Sequence, residues 1–152
     1  MIYLDANALI AAVVMVAEEQ RTARVARLMR KRPVVRVSPL AEYEARKHLY
    51  QAREADWGPN METFLDGPAQ RLPDEWNAPI LQALKLARDF NERLAVDSAD
   101  TLHVAWALSI GAETFASFDR KSGPRALALC VGLKLWPEAT PDDFSTMKRL
   151  KG

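Results

Sequence analysis

The sequence is poor in cysteine and histidine, the side chains that most often act as nucleophiles or as soft metal ligands. Its 152 residues contain one cysteine, Cys130, and two histidines, His48 and His103. One cysteine excludes an internal disulfide, and these three side chains are too few for a standard four-ligand zinc site. We expect Cys130 to be a small buried hydrophobe in a reducing compartment rather than a catalytic thiol.

Glycine is scarce as well, and its placement excludes several common classes of enzyme. None of the six glycines lies near the end of the first strand-like run, residues 1–5. The glycine-rich phosphate loops of dinucleotide-binding and P-loop proteins are therefore missing. The sequence also has no Gly-x-Ser-x-Gly motif, which argues against a serine hydrolase of the α/β class.

Long hydrophobic runs are absent from the sequence. The most apolar stretch, residues 8–17, is far shorter than the ~20 residues that cross a bilayer. The first residues are strand-like and include Asp5 instead of a basic region, so we expect no signal peptide, no membrane association and a cytoplasmic location. With 49% hydrophobic and 27% charged residues, the composition is that of one compact globular domain.

The net charge of +1 does not by itself indicate a nucleic-acid partner. The distribution of basic residues is more suggestive, because several of them follow one another or follow an acid. These residues are Arg27, Arg30, Lys31 and Arg32, then Arg46 and Lys47 after Glu44, and Arg120 and Lys121 after Asp119. Taken singly, each group fits a solvated helix face, but basic side chains beside an acidic centre could also hold a phosphate backbone.

Strand-like apolar runs alternate with helical patterns, and this alternation predicts an α/β fold with a parallel sheet. Predicted strands are residues 1–5 (a central strand), 34–38, 70–73 (an edge strand), 113–118 and 132–136. Predicted helices are residues 7–18, 21–32, 39–53, 60–66, 75–92, 97–110 and 121–130. Ser38 and Pro39 suit an N-cap and a first helical position, and Gly111 suits a helix stop. Trp106 is expected in the core.

Four acids stand where apolar segments begin or end. Asp5 follows the first strand, Asp119 ends residues 114–118, Asp100 opens an apolar helix, and Glu44 comes six residues after Ser38. Ligands of open parallel sheets bind beyond the carboxyl ends of the strands. Acids gathered there repel one another, and a bound divalent cation relieves that cost. Since carboxylates are hard ligands, the pattern predicts a Mg²⁺ or Mn²⁺ site and phosphate chemistry.

Each acid also has a simpler structural interpretation. Asp5 could cap a helix, and Asp97 with Asp100 resembles a capping box. Residues three apart share a helix face, so Asp97 could also join Asp100 at a metal. Glu42 and Glu44 are two residues apart on a helix and point to nearly opposite sides, so only one of them can face a site.

Read together, these segments resemble a known family, the PIN-domain ribonucleases, and are most similar to the VapC-type toxins of bacterial toxin–antitoxin pairs. The resemblance spans residues 1–136 and rests on the order and spacing of short motifs. These are Tyr3-Leu4-Asp5-Ala6-Asn7-Ala8-Leu9-Ile10, Ser38-Pro39-Leu40 with Glu44 and Arg46, Asp100-Thr101-Leu102-His103-Val104-Ala105, and Phe115-Ala116-Ser117-Phe118-Asp119-Arg120. Residues 54–72 match nothing specific, and residues 137–152 form a C-terminal tail, docked or frayed.

The resemblance implies a three-layer α/β/α fold with a short parallel sheet. It implies that Asp5, Glu44, Asp100 and Asp119 bind Mg²⁺ or Mn²⁺, with Asp97 as an additional candidate. Candidates for substrate binding are Asn7, Arg46, Lys47, Ser117 and Arg120. Ser117 could orient a carboxylate or a water. The implied partners are an RNA substrate, such as tRNA or another structured RNA, a small antitoxin protein and a second copy of the chain.

The main functional hypothesis is a metal-dependent endoribonuclease that leaves 5′-phosphate and 3′-hydroxyl ends. Single-stranded or loop regions are the expected targets, because duplex RNA hides its bases. One alternative is a non-catalytic PIN-fold module that binds RNA or protein, although such a module need not keep all four acids. A phosphoryl-accepting receiver domain ranks lower, because Asp5 has no acidic neighbour.

Overall fold

Short strands alternate with helices along the chain. The computed structural model describes residues 1–14, 19–53, 56–90, 96–119 and 123–152. The strands are β1 (Ile2–Leu4), β2 (Val35–Val37), β3 (Gln70–Arg71), β4 (Thr114–Ala116) and β5 (Lys134–Trp136). The helices are α1 (Ala6–Val13), α2 (Glu19–Met29), α3 (Pro39–Ala52), α4 (Trp57–Leu65), α5 (Asn77–Phe90), α6 (Ser98–Ser109), α7 (Pro124–Cys130) and α8 (Pro141–Lys151). The predicted α/β/α fold with a short parallel sheet is confirmed.

The sheet has five strands in the order β3-β2-β1-β4-β5, so the predictions of a central first strand and an edge strand near residue 70 are confirmed. β1 pairs with β2 in parallel, β2 with β3, and β4 with β5. The chain divides into two compact units, residues 1–74 and residues 75–152. The first unit contains β1 to β3, and the second contains β4 and β5.

The first unit has its core where α1 packs against α2, α3 and α4. β2 forms where apolar and polar residues alternate, since Val35 and Val37 are buried while Arg36 between them is half-buried. Ser38 ends this strand and caps α3, with Pro39 in the first turn, as predicted. α1 ends at Val13, earlier than the predicted helix 7–18, and residues 15–18 of that prediction lie outside the described residues.

The second unit is built mainly from the α5–α6 pair and the α7–α8 pair. Trp106 is 2% exposed, which confirms its predicted place in the core, and its ring meets Trp76 edge-on at 4.7 Å between centroids. The predicted helix stop at Gly111 is confirmed, because Gly111 has a φ of +69°, which a glycine adopts without strain. Cys130 is half-buried rather than buried, and desolvation raises the pKa of its thiol, which disfavours the reactive thiolate.

No helix was predicted after residue 136, yet the structure has α8 there, packed against α7. Thr140 and Asp143 form a capping box at its start. Asp143 also pairs with Arg125 of α7 at 2.9 Å, and both side chains are buried. The Arg125 guanidinium further donates to the carbonyls of Pro137 and Glu138. The domain boundary at residue 136 stays a prediction.

In the described part of the chain, none of the helices combines the length and the apolar character that crossing a bilayer requires.

Replacing Asp143 by Ala should lower the free energy of unfolding by about 3–5 kcal/mol, because it leaves the buried Arg125 without its counter-charge. Urea denaturation measures this loss. Asp142→Ala, which alters an exposed neighbour in the same helical turn, is the matched control and should change stability by less than about 0.5 kcal/mol. Equal effects of the two substitutions would contradict the importance of the pair.

The same pair predicts an acid-dependent loss of stability. Burial alone would raise the pKa of Asp143, but hydrogen bonds from Arg125 and Thr140 lower it below its ordinary value. The stabilisation is therefore complete above the unfolded pKa of about 3.9 and disappears as the pH falls through the lower folded pKa. Unfolding measured across this range should show a smaller acid-dependent loss in Asp143→Ala than in the wild-type chain.

Candidate active site

Asp5 lies directly beyond β1, at the carboxyl end of the central strand. Its Oδ1 accepts a hydrogen bond from the Ala8 backbone N–H at 3.0 Å, so the carboxylate caps α1. Its side chain is only 5% exposed. Capping and a site role are compatible, because the cap holds a buried charge in one fixed orientation.

The parallel register of β1 and β2 brings a second helix start next to Asp5. Leu4 pairs with Val37, so the residues that follow them, Asp5 and Ser38, leave the sheet at the same edge. The Tyr3 hydroxyl and Ser38 Oγ, both fully buried, form a hydrogen bond of 2.7 Å. Ser38 Oγ also accepts from the Ala41 N–H at 3.1 Å, so one hydroxyl links β1 to the first turn of α3.

Glu44 acts on the same hydroxyl as Asp5. Burial is the main cause of the raised pKa of Tyr3, the hydrogen bond with Ser38 opposes it, and the charges of Asp5 and Glu44 both raise it further. A tyrosine near two carboxylates resists ionisation, since a phenolate there would add a third negative charge. Asp5 and Glu44 therefore both act electrostatically on Tyr3.

Glu42 is in a different environment from Glu44. Its Oε1 accepts from Arg46 at 2.9 Å, and its Oε2 accepts from Arg71 Nε at 3.0 Å. Arg71 also binds Glu62 at 2.7 Å and Asp66 at 3.1 Å. Burial raises the pKa of Glu42, but the hydrogen bonds from Arg71 and Arg46 outweigh this and lower it. These ion pairs place Glu42 in a charged cluster with Arg46, Arg71 and Glu62, which the sequence leaves open.

The predicted substrate contacts of the first unit have unequal environments. Arg46 is already shared by Glu42 and Glu62, and its guanidinium lies 5.7 Å from the centroid of the Trp57 ring. Lys47 is exposed, and Asn7 is half-buried in the first turn of α1. The substrate-binding roles of Asn7, Arg46 and Lys47 stay predictions. To bind a phosphate, Arg46 would have to break its ion pairs with Glu42 and Glu62.

In the second unit, Asp97 and Asp100 lie at the start of α6. Asp97 is the N-cap, and its Oδ1 accepts from the Asp100 N–H at 2.8 Å, which confirms the capping interpretation for Asp97. Asp97 is exposed and Asp100 is half-buried. The capping hydrogen bond does not test metal binding, so a metal-binding role for Asp97 or Asp100 stays a prediction.

Ser117 and Asp119 follow β4 in the same unit. Ser117 is fully buried, its Oγ accepts from the Asp119 N–H at 3.0 Å, and its carbonyl accepts from Arg125 at 2.6 Å. Ser117 therefore orients the backbone that carries Asp119, which is half-buried. Arg120, the remaining predicted substrate contact, lies outside the described residues.

The described ranges contain no group of three or more acidic, histidine or cysteine side chains placed to hold a metal ion. Asp5 and Glu44 belong to the first unit, and Asp100 and Asp119 belong to the second. All four offer carboxylate oxygens, the ligand type that Mg²⁺ and Mn²⁺ prefer. The metal site thus stays a prediction from the chemistry and chain positions of these acids.

The sequence motifs predicted no role for Tyr3 beyond its place in the first motif, and they predicted Ser38 only as a helix cap. The hydrogen bond between these two residues was not predicted. A hydroxyl two residues before Asp5 in an otherwise apolar strand is a signal that could have indicated a buried polar contact. Arg71 and Glu62 fall in the stretch that matches no family motif, and only their contacts with Glu42 reveal them.

The chain belongs to the PIN domain family, whose family model matches residues 2–123. The chain is similar in structure to VapBC2 from Rickettsia felis, solved bound to a DNA fragment from its promoter, with a TM-score of 0.58 and 16% identity over 78% of this chain and 89% of that one. FitAcB from Neisseria gonorrhoeae has a TM-score of 0.56 and 16% identity over 89% and 96% of the two chains.

PAE2754 from Pyrobaculum aerophilum has a TM-score of 0.56 and 20% identity over 99% of this chain and 97% of that one. No curated protein matches the sequence. At identities this low, the structural likenesses establish a shared fold. The resemblance noted from the sequence is confirmed by the family match.

The buried hydrogen bond predicts coupled effects of two conservative substitutions. Tyr3→Phe should lower the free energy of unfolding by about 1 kcal/mol, and Ser38→Ala by about 2 kcal/mol, because the latter removes the cap as well. The double variant should lose about 1 kcal/mol less than the sum, since the shared bond is lost only once. Urea denaturation of all four chains gives this coupling.

Tyr43→Phe is the matched control, because Tyr43 is 62% exposed and should tolerate loss of its hydroxyl. Strictly additive effects of the Tyr3 and Ser38 substitutions would show that the bond does not contribute to stability.

Proposed function

We propose that this PIN-domain protein is a metal-dependent endoribonuclease and the toxin of a toxin–antitoxin pair. Asp5, Glu44, Asp100 and Asp119 would hold Mg²⁺ or Mn²⁺, with Asp97 as an additional candidate. The observation that carries the proposal is the buried carboxylate of Asp5 at the carboxyl end of β1, whose charge, like that of Glu44, raises the pKa of Tyr3. Family membership supports it, since PIN domains are generally nucleases that use divalent ions.

A divalent ion bound by these acids would stabilise negative charge on the scissile phosphate and activate water. The chain's own contribution is to orient the carboxylates. The cap on α1 fixes Asp5, and the Ser117 hydroxyl fixes the backbone at Asp119. Attack by water gives 5′-phosphate and 3′-hydroxyl ends, whereas attack by the RNA 2′-hydroxyl would give a cyclic phosphate.

The proposed partners are an RNA substrate, a small antitoxin and a second copy of the chain. The likeness to VapBC2 and FitAcB, which are toxin–antitoxin proteins, supports the antitoxin. The antitoxin would block the site, for example with a basic residue among the acids. Expression of the chain alone should arrest growth, and coexpression of its antitoxin should relieve the arrest.

A second candidate is a non-catalytic PIN-fold module that binds RNA or a protein without cleaving it. The absence of a three-ligand cluster within the described residues is the observation in its favour. Binding of RNA without cleavage at any Mg²⁺ or Mn²⁺ concentration would select this candidate.

The nuclease predicts a sharp difference between the two glutamates of α3. In Mn²⁺ or Mg²⁺, Glu44→Gln, Asp5→Asn, Asp100→Asn and Asp119→Asn should each slow cleavage of structured cellular RNA by about 100-fold or more, because each removes a ligand charge. Glu42→Gln should cleave within a few-fold of wild type. Gel analysis of the RNA, with EDTA as the metal-free arm, measures the rates.

Asp5→Asn is an informative variant because asparagine caps a helix as well as aspartate does. Its loss of activity would therefore report the missing charge and not a damaged α1. Comparable losses in Glu42→Gln and Glu44→Gln would contradict the assignment of Glu44.

Metal binding can be measured without substrate. A ligand present at 100 times its Kd stabilises the folded state by about 2.7 kcal/mol, which raises the Tm of a chain of this size by several degrees. Mn²⁺ should shift the Tm of wild type and of Glu42→Gln but not that of Asp5→Asn. An equal shift in Asp5→Asn would show that the ion binds elsewhere.

A further inference from the structure

A dense group of basic residues lies on α2 and in the turn that follows it. Residues 20–32 contain six cations, which are Arg21, Arg24, Arg27, Arg30, Lys31 and Arg32, and no acid. Because the whole chain carries only +1, everything outside these residues carries a net charge of −5. A polyanion such as RNA is repelled by such a surface unless a local positive region holds it.

The structure sorts the residues of α2 onto two opposite sides. Thr22 and Val25 face inward, since the Thr22 hydroxyl donates to the Val14 carbonyl at 2.8 Å and Val25 is 2% exposed. At 3.6 residues per turn, Arg24, Arg27 and Lys31 fall on the opposite side of the helix, and all three are exposed.

The turn after α2 extends the same basic surface. The backbone N–H groups of Lys31 and Arg32 donate to the carbonyls of Leu28 and Met29, so the chain keeps a helical turn up to Arg32. Within the described ranges, Arg24, Arg27, Arg30 and Lys31 form no salt bridge or hydrogen bond through their side chains. We call these four residues the basic face.

The composition of the basic face distinguishes among its possible partners. Protein interfaces have an apolar or aromatic centre, but no large hydrophobic side chain is exposed between residues 19 and 32 in the described part of the chain. A membrane-surface helix needs an exposed apolar side, whereas in α2 Val25 is buried and Leu28 and Met29 are half-buried. Nucleic-acid interfaces are instead polar and strongly positive, and arginine suits phosphate geometry.

We propose that the basic face of α2 binds the phosphate backbone of the RNA substrate, outside the acidic site. This inference rests on the proposed ribonuclease function and adds a second contact region to it. The contact would supply affinity without sequence specificity, because phosphates are identical along the strand. It would also hold the RNA in spite of the negative charge of the rest of the chain.

The test compares RNA binding by two charge-neutralised variants. The first carries Arg24→Gln, Arg27→Gln and Lys31→Gln. The matched control carries Lys148→Gln, Arg149→Gln and Lys151→Gln, which removes three exposed cations from α8. Binding of a labelled single-stranded RNA is followed by fluorescence anisotropy in EDTA, so that no cleavage occurs, over a series of salt concentrations.

Each phosphate contact on a single strand contributes about 0.7 to the slope of log K against log salt. The α2 variant should therefore lower that slope by about 2 and weaken binding at low salt, while the α8 variant should not. Restoring charge with Arg24→Lys and Arg27→Lys, and Lys31 unchanged, should restore the slope. Equal slopes for wild type and the α2 variant, or equal losses in both variants, would overturn the proposal.

Two further measurements separate this proposal from the nuclease itself. In Mn²⁺, the α2 variant should raise KM for RNA and leave kcat unchanged. If the α2 variant cleaves RNA with an unaltered KM, the RNA-binding role of the basic face is wrong and the nuclease function is kept. If wild type binds RNA through α2 but does not cleave it, the nuclease function is wrong and the RNA-binding role is kept. Binding to anionic phosphatidylserine vesicles that depends on α2, with RNA binding unaffected, would assign the face to a membrane and overturn the proposal.

Discussion

The parallel register between β1 and β2 is the constraint on which the first unit depends. Because Leu4 pairs with Val37, the chain leaves both strands at the same level, and two helices start side by side. Each start is capped by the residue that follows the strand, Asp5 for α1 and Ser38 for α3. The hydrogen bond from Tyr3 to Ser38 ties the two starts together in a place where neither hydroxyl reaches water.

This arrangement has an electrostatic consequence. Asp5 keeps a carboxylate in a buried position, and Glu44 adds a second negative charge that acts on the same tyrosine. Glu42 and Glu44 lie two residues apart on α3, and Arg46 and Arg71 form ion pairs with Glu42. The cations Arg46 and Arg71 are thus engaged in structural ion pairs with Glu42.

In the second unit, the buried ion pair between Arg125 and Asp143 connects a strand end to a helix. Arg125 binds Asp143, the carbonyl of Ser117 and the turn before α8, so one guanidinium connects the end of β4 to the last helix. The backbone carrying Asp119 is therefore supported by a contact that reaches the end of the chain. Residues beyond 123, which the family model does not match, take part in positioning a candidate site residue.

The sequence by itself determined the local structure. Alternating valines specified β2, Ser38-Pro39 and Asp97 specified helix starts, and Gly111 specified a helix stop, because each effect acts within one turn or one strand. It also determined the family, since the family model matches residues 2–123 of the sequence. The positions of the four acids relative to predicted elements followed from the same local patterns.

Only the tertiary structure decided which polar groups meet. The contacts of Tyr3 with Ser38, Arg71 with Glu42, and Arg125 with Asp143 join residues 35, 29 and 18 positions apart. Nothing local in the sequence fixes such pairs, because burial and register set the partner of each polar group. The sequence therefore placed two glutamates on α3, and the fold decided that Glu42 forms ion pairs with Arg46 and Arg71, while the charges of Glu44 and Asp5 both raise the pKa of Tyr3.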